Sequence, residues 1–97
     1  MITFLVRLRA EAGHGDHVES ELATMARAVR AHEPGCLAYF VHRSATEPDL
    51  FVIYEQYEDE SALELHRSTE HFRAHVEVSV VPVLIERSRE DLVLVED

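Results

Sequence analysis

Residues 50–57 read Leu50-Phe51-Val52-Ile53-Tyr54-Glu55-Gln56-Tyr57 and directly follow the turn-forming Glu47-Pro48-Asp49. Aromatic and β-branched side chains dominate this segment, and such side chains favour a β-strand. Residues 37–43, on the other side of the turn, have a similar character. Because two strands joined by a short turn pair antiparallel, we predict a β-hairpin in the middle of the chain.

The N-terminal part of the chain predicts one strand and one long helix. Residues 2–9 alternate between two sets of side chains, which is typical of a strand. After a glycine-rich turn, Asp16 with Glu19 three residues later resembles a capping pair that starts a helix. The helix should end before Pro34-Gly35, since neither residue favours its continuation. Its apolar side chains recur at helical spacing: Val18, Leu22, Met25 and Val29.

Two further helical segments are predicted after the hairpin. Asp59 and Ser61 can start a short helix that carries His66 near its end. Ser68-Thr69 can cap a second segment, in which Phe72, Val76 and Val80 recur every four residues. Pro82 should stop that segment, because proline lacks the backbone N–H that a helix requires.

The last strand is predicted from two apolar stretches, residues 83–85 and 92–95, which the charged residues 86–91 separate. The element order is therefore β-α-β-β-α-β. This is the order of a ferredoxin-like α+β fold, with helices on one face of an antiparallel sheet. A length of 97 residues leaves room for a single domain, which we assign to residues 1–97.

The central strand is apolar on both of its faces, which predicts a homodimer. Phe51, Ile53 and Tyr57 lie on one face, but the other face carries Leu50, Val52 and Tyr54. A sheet covered by helices on one face should be polar on its open face. We therefore expect a second copy of the chain to cover that face, with the two sheets packed together as a dimeric α/β barrel-like assembly.

Charge and cysteine content narrow the classes of partner. Nine arginines, no lysine and nineteen acidic residues give a formal net charge of −10. Such a surface repels nucleic acid and anionic membranes, so we expect neither as a partner. No apolar run approaches the ~18 residues that span a bilayer. The single Cys36 cannot form an internal disulfide, which favours a reducing cytoplasm.

The candidate catalytic residues are Glu55, Tyr57 and His66. Glu55 and Tyr57 are two residues apart on a strand, so they share one face of the sheet. His66 lies on the helix that must pack back on that sheet, and its imidazole is the natural general base near neutral pH. The predicted substrate-binding wall around these groups consists of Phe51, Ile53, Leu63, His71 and Phe72.

A metal site is the alternative interpretation of a chain with seven histidines. His71 and His75 are four residues apart and would share one helix face, as ligand pairs do. However, no acidic residue between them completes an H-E-x-x-H motif, and Cys36 is isolated. We therefore predict no metal. The sequence also lacks a glycine-rich nucleotide loop and a nucleophile elbow.

Three features of the sequence are informative in combination: residues 33–39 (EPGCLAY), Pro48 with Phe51, and the pattern Glu55-x-Tyr57-x4-Ala62-x3-His66-x4-His71-Phe72. Together they resemble the antibiotic biosynthesis monooxygenase (ABM) domain family. The resemblance covers nearly the whole chain and implies a dimeric ferredoxin-like fold. It also implies the chemistry of quinol monooxygenases and anthrone oxygenases, which use no metal, flavin or haem.

The resemblance implies a first choice of function and an alternative. The first choice is a cofactor-independent monooxygenase that oxidises a small quinol- or anthrone-like aromatic with O₂. The alternative is an isomerase of a small phosphorylated hydroxy-dione signal compound, whose family member also has a tyrosine at Tyr57. For its phosphate, the available cations include Arg43, Arg67 and Arg73. A dimeric ligand-binding module without catalysis is a third possibility.

Both enzymatic hypotheses, the monooxygenase and the isomerase, begin with the removal of a proton from the substrate. Each needs one base in a dry pocket and one hydrogen-bond donor for the resulting oxyanion. We assign the base to His66 and the donor to Tyr57, with Glu55 orienting one of them.

Overall fold

The computed structural model describes all residues from Met1 to Asp97. Its strands are β1 (Ile2–Ala10), β2 (Cys36–Arg43), β3 (Leu50–Tyr57) and β4 (Leu84–Leu92). The helices are α1 (Gly15–His32), α2 (Glu60–Ser68) and α3 (Glu70–Phe72), and α3 runs directly into a π-helical segment (Arg73–Val78). A short 3₁₀ turn (Val81–Val83), which contains Pro82, leads into β4.

The four strands form one antiparallel sheet in the order β2-β3-β1-β4. Alternate residues of the two central strands are buried against the helices, including Phe4 and Leu8 of β1 and Ile53 of β3. Helix α1 contributes Val18 and Leu22 to the same core. The predicted ferredoxin-like α+β fold is therefore confirmed. No helix combines the length and the apolar character that crossing a lipid bilayer requires.

The start of α1 differs from the predicted capping pair. The helix begins at Gly15, and no side chain at its first residues caps it. Instead, the carboxylate of Asp49 accepts hydrogen bonds from the backbone N–H groups of Gly13, at 3.3 Å, and Gly15, at 2.8 Å. The capping group thus comes from the β2–β3 turn, which is distant in sequence and has no local signature.

The prediction of the last strand was wrong in its extent. β4 is continuous through the charged residues 86–91 and pairs with β1 from Ala10 to Thr3, whereas residues 93–97 form no strand. β4 lies at the edge of the sheet, and nearly all of its side chains are exposed. Charged side chains are tolerated there because the strand needs only its backbone partners, and such charges protect an exposed sheet edge.

The open face of the sheet carries large apolar side chains. Phe40 of β2 is 59% exposed, and its ring stacks on that of Tyr54 of β3 with the ring centroids 6.3 Å apart. The single chain leaves this surface uncovered, so the homodimer stays a prediction.

Candidate active site

A cavity of about 330 Å³ lies between the helix-covered face of the sheet and the segments from α2 to the π-helical segment. Twelve of its eighteen lining residues are hydrophobic, among them Val6, Leu8, Ile53, Leu63 and Phe72. Glu55 and His66 supply polar groups within this apolar lining. An apolar cavity with a few convergent polar groups is typical of a small-molecule site.

Glu55 and Tyr57 form a hydrogen-bonded pair on β3. They are two residues apart on the strand, so both side chains lie on the helix-covered face, where they are 6% and 0% exposed. The Tyr57 hydroxyl donates to Oε1 of Glu55 at 2.7 Å. The ring of Tyr57 stacks on Phe4 at 6.0 Å. This bond fixes the orientation of the Glu55 carboxyl.

His66 reaches the cavity because α2 is fixed at its start and packs closely on the turn before β2. The carboxylate of Asp59 caps α2 by accepting from the N–H of Ala62 at 2.9 Å. Gly35 allows the close packing, since a Cβ atom at that position would lie 2.7 Å from the Cβ of Ala62. Because α2 packs so closely on this turn, Glu33, which lies just before the turn, contacts His66.

Glu33 binds two histidines at once. Its Oε1 lies 2.8 Å from Nδ1 of His66, and its Oε2 lies 2.5 Å from Nε2 of His71. Glu33 and His66 are only 5% and 2% exposed, so this contact is shielded from water. An ionised carboxylate only accepts hydrogen bonds, and the proton of the neutral His66 imidazole therefore belongs on Nδ1. Nε2 keeps its lone pair.

Nε2 of His66 lies 3.9 Å from Oε1 of Glu55. This distance is too long for a direct hydrogen bond, so a substrate hydroxyl can approach Nε2 without displacing an existing partner. Three aromatic rings enclose the imidazole, with centroids at 5.5 Å for Tyr39, 5.2 Å for Tyr57 and 5.2 Å for Phe72. These rings restrict rotation of the imidazole away from Glu33.

The pKa values of the two buried glutamates are shifted in opposite directions. Burial alone would raise the pKa of Glu33, but the hydrogen bonds from His66 and His71 outweigh it and lower the pKa below that of an ordinary glutamate. Burial raises the pKa of Glu55, although the hydrogen bond from Tyr57 opposes the shift. Glu33 is thus the stably ionised member of the pair, and Glu55 is the carboxyl that more readily takes up a proton.

The structure brings together most of the residues singled out in the sequence. Glu55 and His66 line the cavity, and so do Ile53, Leu63 and Phe72. Tyr57 contacts Glu55 and the His66 ring, but it does not line the cavity and its hydroxyl is already engaged. Its assignment as oxyanion donor therefore needs revision, because the geometry fits a residue that positions Glu55.

Two residues of the predicted substrate-binding wall lie elsewhere. Phe51, at the start of β3, packs in the core with Val18 and Leu22 of α1 and does not line the cavity. The His71 imidazole is turned toward Glu33 and does not line the cavity either. Both residues are on the expected elements, but tertiary packing and the Glu33 carboxylate determine where their side chains point.

The two histidines considered as a metal pair have separate partners. His71 contacts Glu33, whereas Nδ1 of His75 lies 2.7 Å from Oε2 of Glu21 on α1. No group of three or more His, Cys, Asp or Glu side chains is arranged to hold a metal ion. The absence of a metal cofactor stays a prediction.

Sequence reasoning gave no role to several residues of the site. Glu33 stands within the stretch that carries the family resemblance, but it lies 33 positions from His66, and only the fold joins the two. Tyr39 lines the cavity, and its hydroxyl takes part in none of the side-chain hydrogen bonds of the structure. Arg87 and Arg89 also line the cavity, together with Arg67, which the sequence had offered only as a cation for a phosphate.

Comparison with known proteins places this chain in a family. The family model for antibiotic biosynthesis monooxygenase matches residues 1–78. The chain belongs to this family. No curated protein matches the chain significantly in sequence.

Several solved structures resemble the chain over almost its full length. Protein PA3566 from Pseudomonas aeruginosa is 30% identical, with a TM-score of 0.88 and coverage of 98% of this chain and 94% of that one. A protein from Caulobacter crescentus CB15 is also 30% identical, with a TM-score of 0.87 and coverage of 98% and 90%. A solved antibiotic biosynthesis monooxygenase is 25% identical, with a TM-score of 0.88 and coverage of 99% and 100%.

Proposed function

We propose that this member of the antibiotic biosynthesis monooxygenase family is a cofactor-independent monooxygenase that oxidises a small quinol- or anthrone-like aromatic. The observation that carries the proposal is the hydrogen bond between Glu33 and Nδ1 of His66, which leaves Nε2 free beside a mainly apolar cavity. This arrangement combines an oriented base with a mainly apolar binding site. Membership of the family supports the reaction class.

In the first step, Nε2 of His66 accepts a proton from the substrate. The Glu33 carboxylate stabilises the imidazolium that forms, because it already accepts the Nδ1 hydrogen bond. The substrate becomes an electron-rich anion. Its apolar rings are held by the aliphatic and aromatic side chains that make up most of the cavity lining.

The substrate oxyanion needs a hydrogen-bond donor, and we assign this role to Tyr39 in place of Tyr57. The Tyr39 hydroxyl has no protein partner, and its ring contacts the His66 imidazole. Burial raises the pKa of Tyr39 well above that of an ordinary tyrosine, so it stays protonated and able to donate. A protonated Glu55, favoured by burial, would add a second donor.

The substrate itself supplies the electrons for the oxygen step. The anion reduces O₂, one oxygen atom forms a bond to the ring carbon, and the O–O bond breaks. The second oxygen atom leaves as water with two protons that originate from the substrate. A quinol or anthrone plus one O₂ therefore gives the oxygenated quinone plus one water, and the protein is needed only for binding and proton transfer.

An oxygen electrode tests the proposal directly. With a panel of quinols and anthrones, we expect purified protein to consume one O₂ per substrate oxidised, at a rate proportional to protein concentration. Metal chelation with EDTA should leave this rate unchanged. A panel without any protein-dependent oxygen uptake would contradict the proposal.

The isomerase alternative shares the same first proton transfer and is favoured by the arginines that line the cavity. A phosphorylated hydroxy-dione converted without oxygen uptake would identify this activity. Tight ligand binding with neither oxygen uptake nor isomerisation would instead indicate a binding module.

We also propose that the protein acts as a homodimer joined through the open face of the sheet. The support is the exposed Phe40 stacked on Tyr54 of the neighbouring strand. Light scattering should give twice the mass of one chain, and the Phe40→Asp variant should shift the mass toward that of the monomer. A monomeric wild-type protein would overturn this assembly.

The single thiol of Cys36 fits a reducing compartment such as the cytoplasm.

A further inference from the structure

The cavity carries an excess of positive charge that the rest of the molecule does not share. The chain has a net charge of −10, yet three arginines and only one glutamate line the cavity. Arg67 follows His66 on α2. Arg87 and Arg89 lie two residues apart on β4, opposite Leu8 and Val6 of β1, so both lie on the helix-covered face of the sheet.

Two of these arginines have no carboxylate partner. Neither Arg67 nor Arg87 forms an ion pair, although acidic residues outnumber arginines by nineteen to nine. Arg89 binds Asp91 at 2.7 Å, and its guanidinium lies 3.9 Å above the Phe4 ring. The positions of Arg67 and Arg89 are close enough to Glu55 that their charges lower its pKa, against the larger effect of burial.

The other arginines considered for phosphate binding are neutralised within the protein. Arg43 pairs with Asp16 at 2.9 Å and Glu19 at 3.1 Å. Arg73 pairs with Glu70. Neither lines the cavity. Arg67 and Arg87 are exposed residues at the cavity whose guanidinium groups are not engaged by a carboxylate, so both can form charge-assisted hydrogen bonds to an anion.

We propose that Arg67 and Arg87 form a binding site for an anionic oxygen group, a carboxylate or a phosphate, on the aromatic substrate. This inference rests on the proposed function for the aromatic part of the ligand. The guanidinium groups bind the anion while the apolar lining holds the rings, and the anion anchors the substrate beside His66. Arg89, already paired with Asp91, contributes its charge more weakly.

Calorimetric titration of the whole protein with 2-naphthoate, 2-naphthyl phosphate and the neutral 2-naphthamide tests this site. None of these ligands carries an oxidisable hydroxyl, so binding is measured without turnover. The wild-type protein should bind an anionic ligand roughly 10- to 100-fold more tightly than the amide, as expected for charge-assisted hydrogen bonds. The stronger of the two anions identifies the group that the site prefers.

The double variant Arg67→Gln/Arg87→Gln should lose most of this preference while binding 2-naphthamide as the wild type does. Arg30→Gln is the matched control, because Arg30 is an exposed arginine of α1 that does not line the cavity. Circular dichroism should show that both variants are folded. Equal wild-type affinity for all three ligands, or a preference that survives in the double variant, would overturn the proposal.

Failure of the anion-binding site and failure of the proposed oxygenase activity can be told apart. Absence of the anion preference leaves oxygen uptake with neutral quinols possible. Conversely, absence of oxygen uptake does not alter the calorimetric preference.

Discussion

His66→Gln should lower kcat with an oxidisable quinol by roughly 10²- to 10⁴-fold, the usual contribution of a positioned general base. Glutamine keeps a polar side chain of similar reach, but it has no nitrogen lone pair that can take a proton at neutral pH. The substrate would then have to lose its proton to water. Because the apolar part of the cavity lining is unchanged, KM should change far less than kcat. Steady-state oxygen uptake gives both constants.

His75→Gln is the matched control for this substitution. His75 also pairs with a glutamate, Glu21, but it does not line the cavity. We expect this variant to keep a kcat close to that of the wild type, because His75 lies outside the cavity. Unchanged turnover in His66→Gln, with His75→Gln also active, would remove His66 from the mechanism.

Glu33→Gln should lower kcat by about 10²- to 10⁴-fold while leaving substrate binding largely intact. The amide carries no charge, so it cannot stabilise the imidazolium that forms on His66. It also offers one acceptor where the carboxylate offers two, although Glu33 contacts both His66 and His71. At least one of the two histidines must therefore lose the acceptor for its N–H group.

The ¹⁵N chemical shifts of His66 separate this positioning role from a loss of packing. In the wild type we expect the neutral ring to carry its proton on Nδ1, and in Glu33→Gln we expect part of the population to carry it on Nε2. Glu21→Gln is the control, because Glu21 contacts His75 at 2.7 Å in a pair of the same kind. Wild-type turnover in Glu33→Gln would contradict the role of Glu33.

Glu33→Gln should also change how the free energy of unfolding depends on pH. The pKa of Glu33 is lower in the folded protein than its ordinary value of 4.5. Its contribution to the free energy of unfolding is therefore complete above the unfolded pKa and is lost as pH falls through the folded one. We expect Glu33→Gln to be less stable by about 1–3 kcal/mol at pH 7. In urea unfolding, this difference should shrink below pH 4.5.

The sheet and its helices could be predicted because their signals are local. The predicted strand 50–57 coincides with β3 (Leu50–Tyr57), and Asp59 caps α2 as its position next to a helical pattern indicates. β4 could not be predicted in full, because an edge strand is defined by its backbone partner and not by its own apolar side chains. The carboxylate of Asp49 at the start of α1 was missed for a similar reason, since its target is distant in sequence.

The candidate site was predictable where strand alternation alone determines it. Alternation placed Glu55 and Tyr57 on one face, and helix packing brought His66 to them. The roles within the site depend on tertiary contacts. Tyr57 is engaged by Glu55, His71 is engaged by Glu33, and Tyr39 lines the cavity from a different strand.

A crystal structure with 1-naphthol, an aromatic alcohol that lacks the second hydroxyl of a quinol, tests the proposed base most directly. We predict that the naphthalene rings occupy the cavity and that the hydroxyl oxygen lies about 2.6–3.2 Å from Nε2 of His66, within hydrogen-bonding reach. A ligand bound outside the cavity, or one whose hydroxyl contacts another group while Nε2 of His66 stays without a partner, would contradict the assignment of His66 as the base.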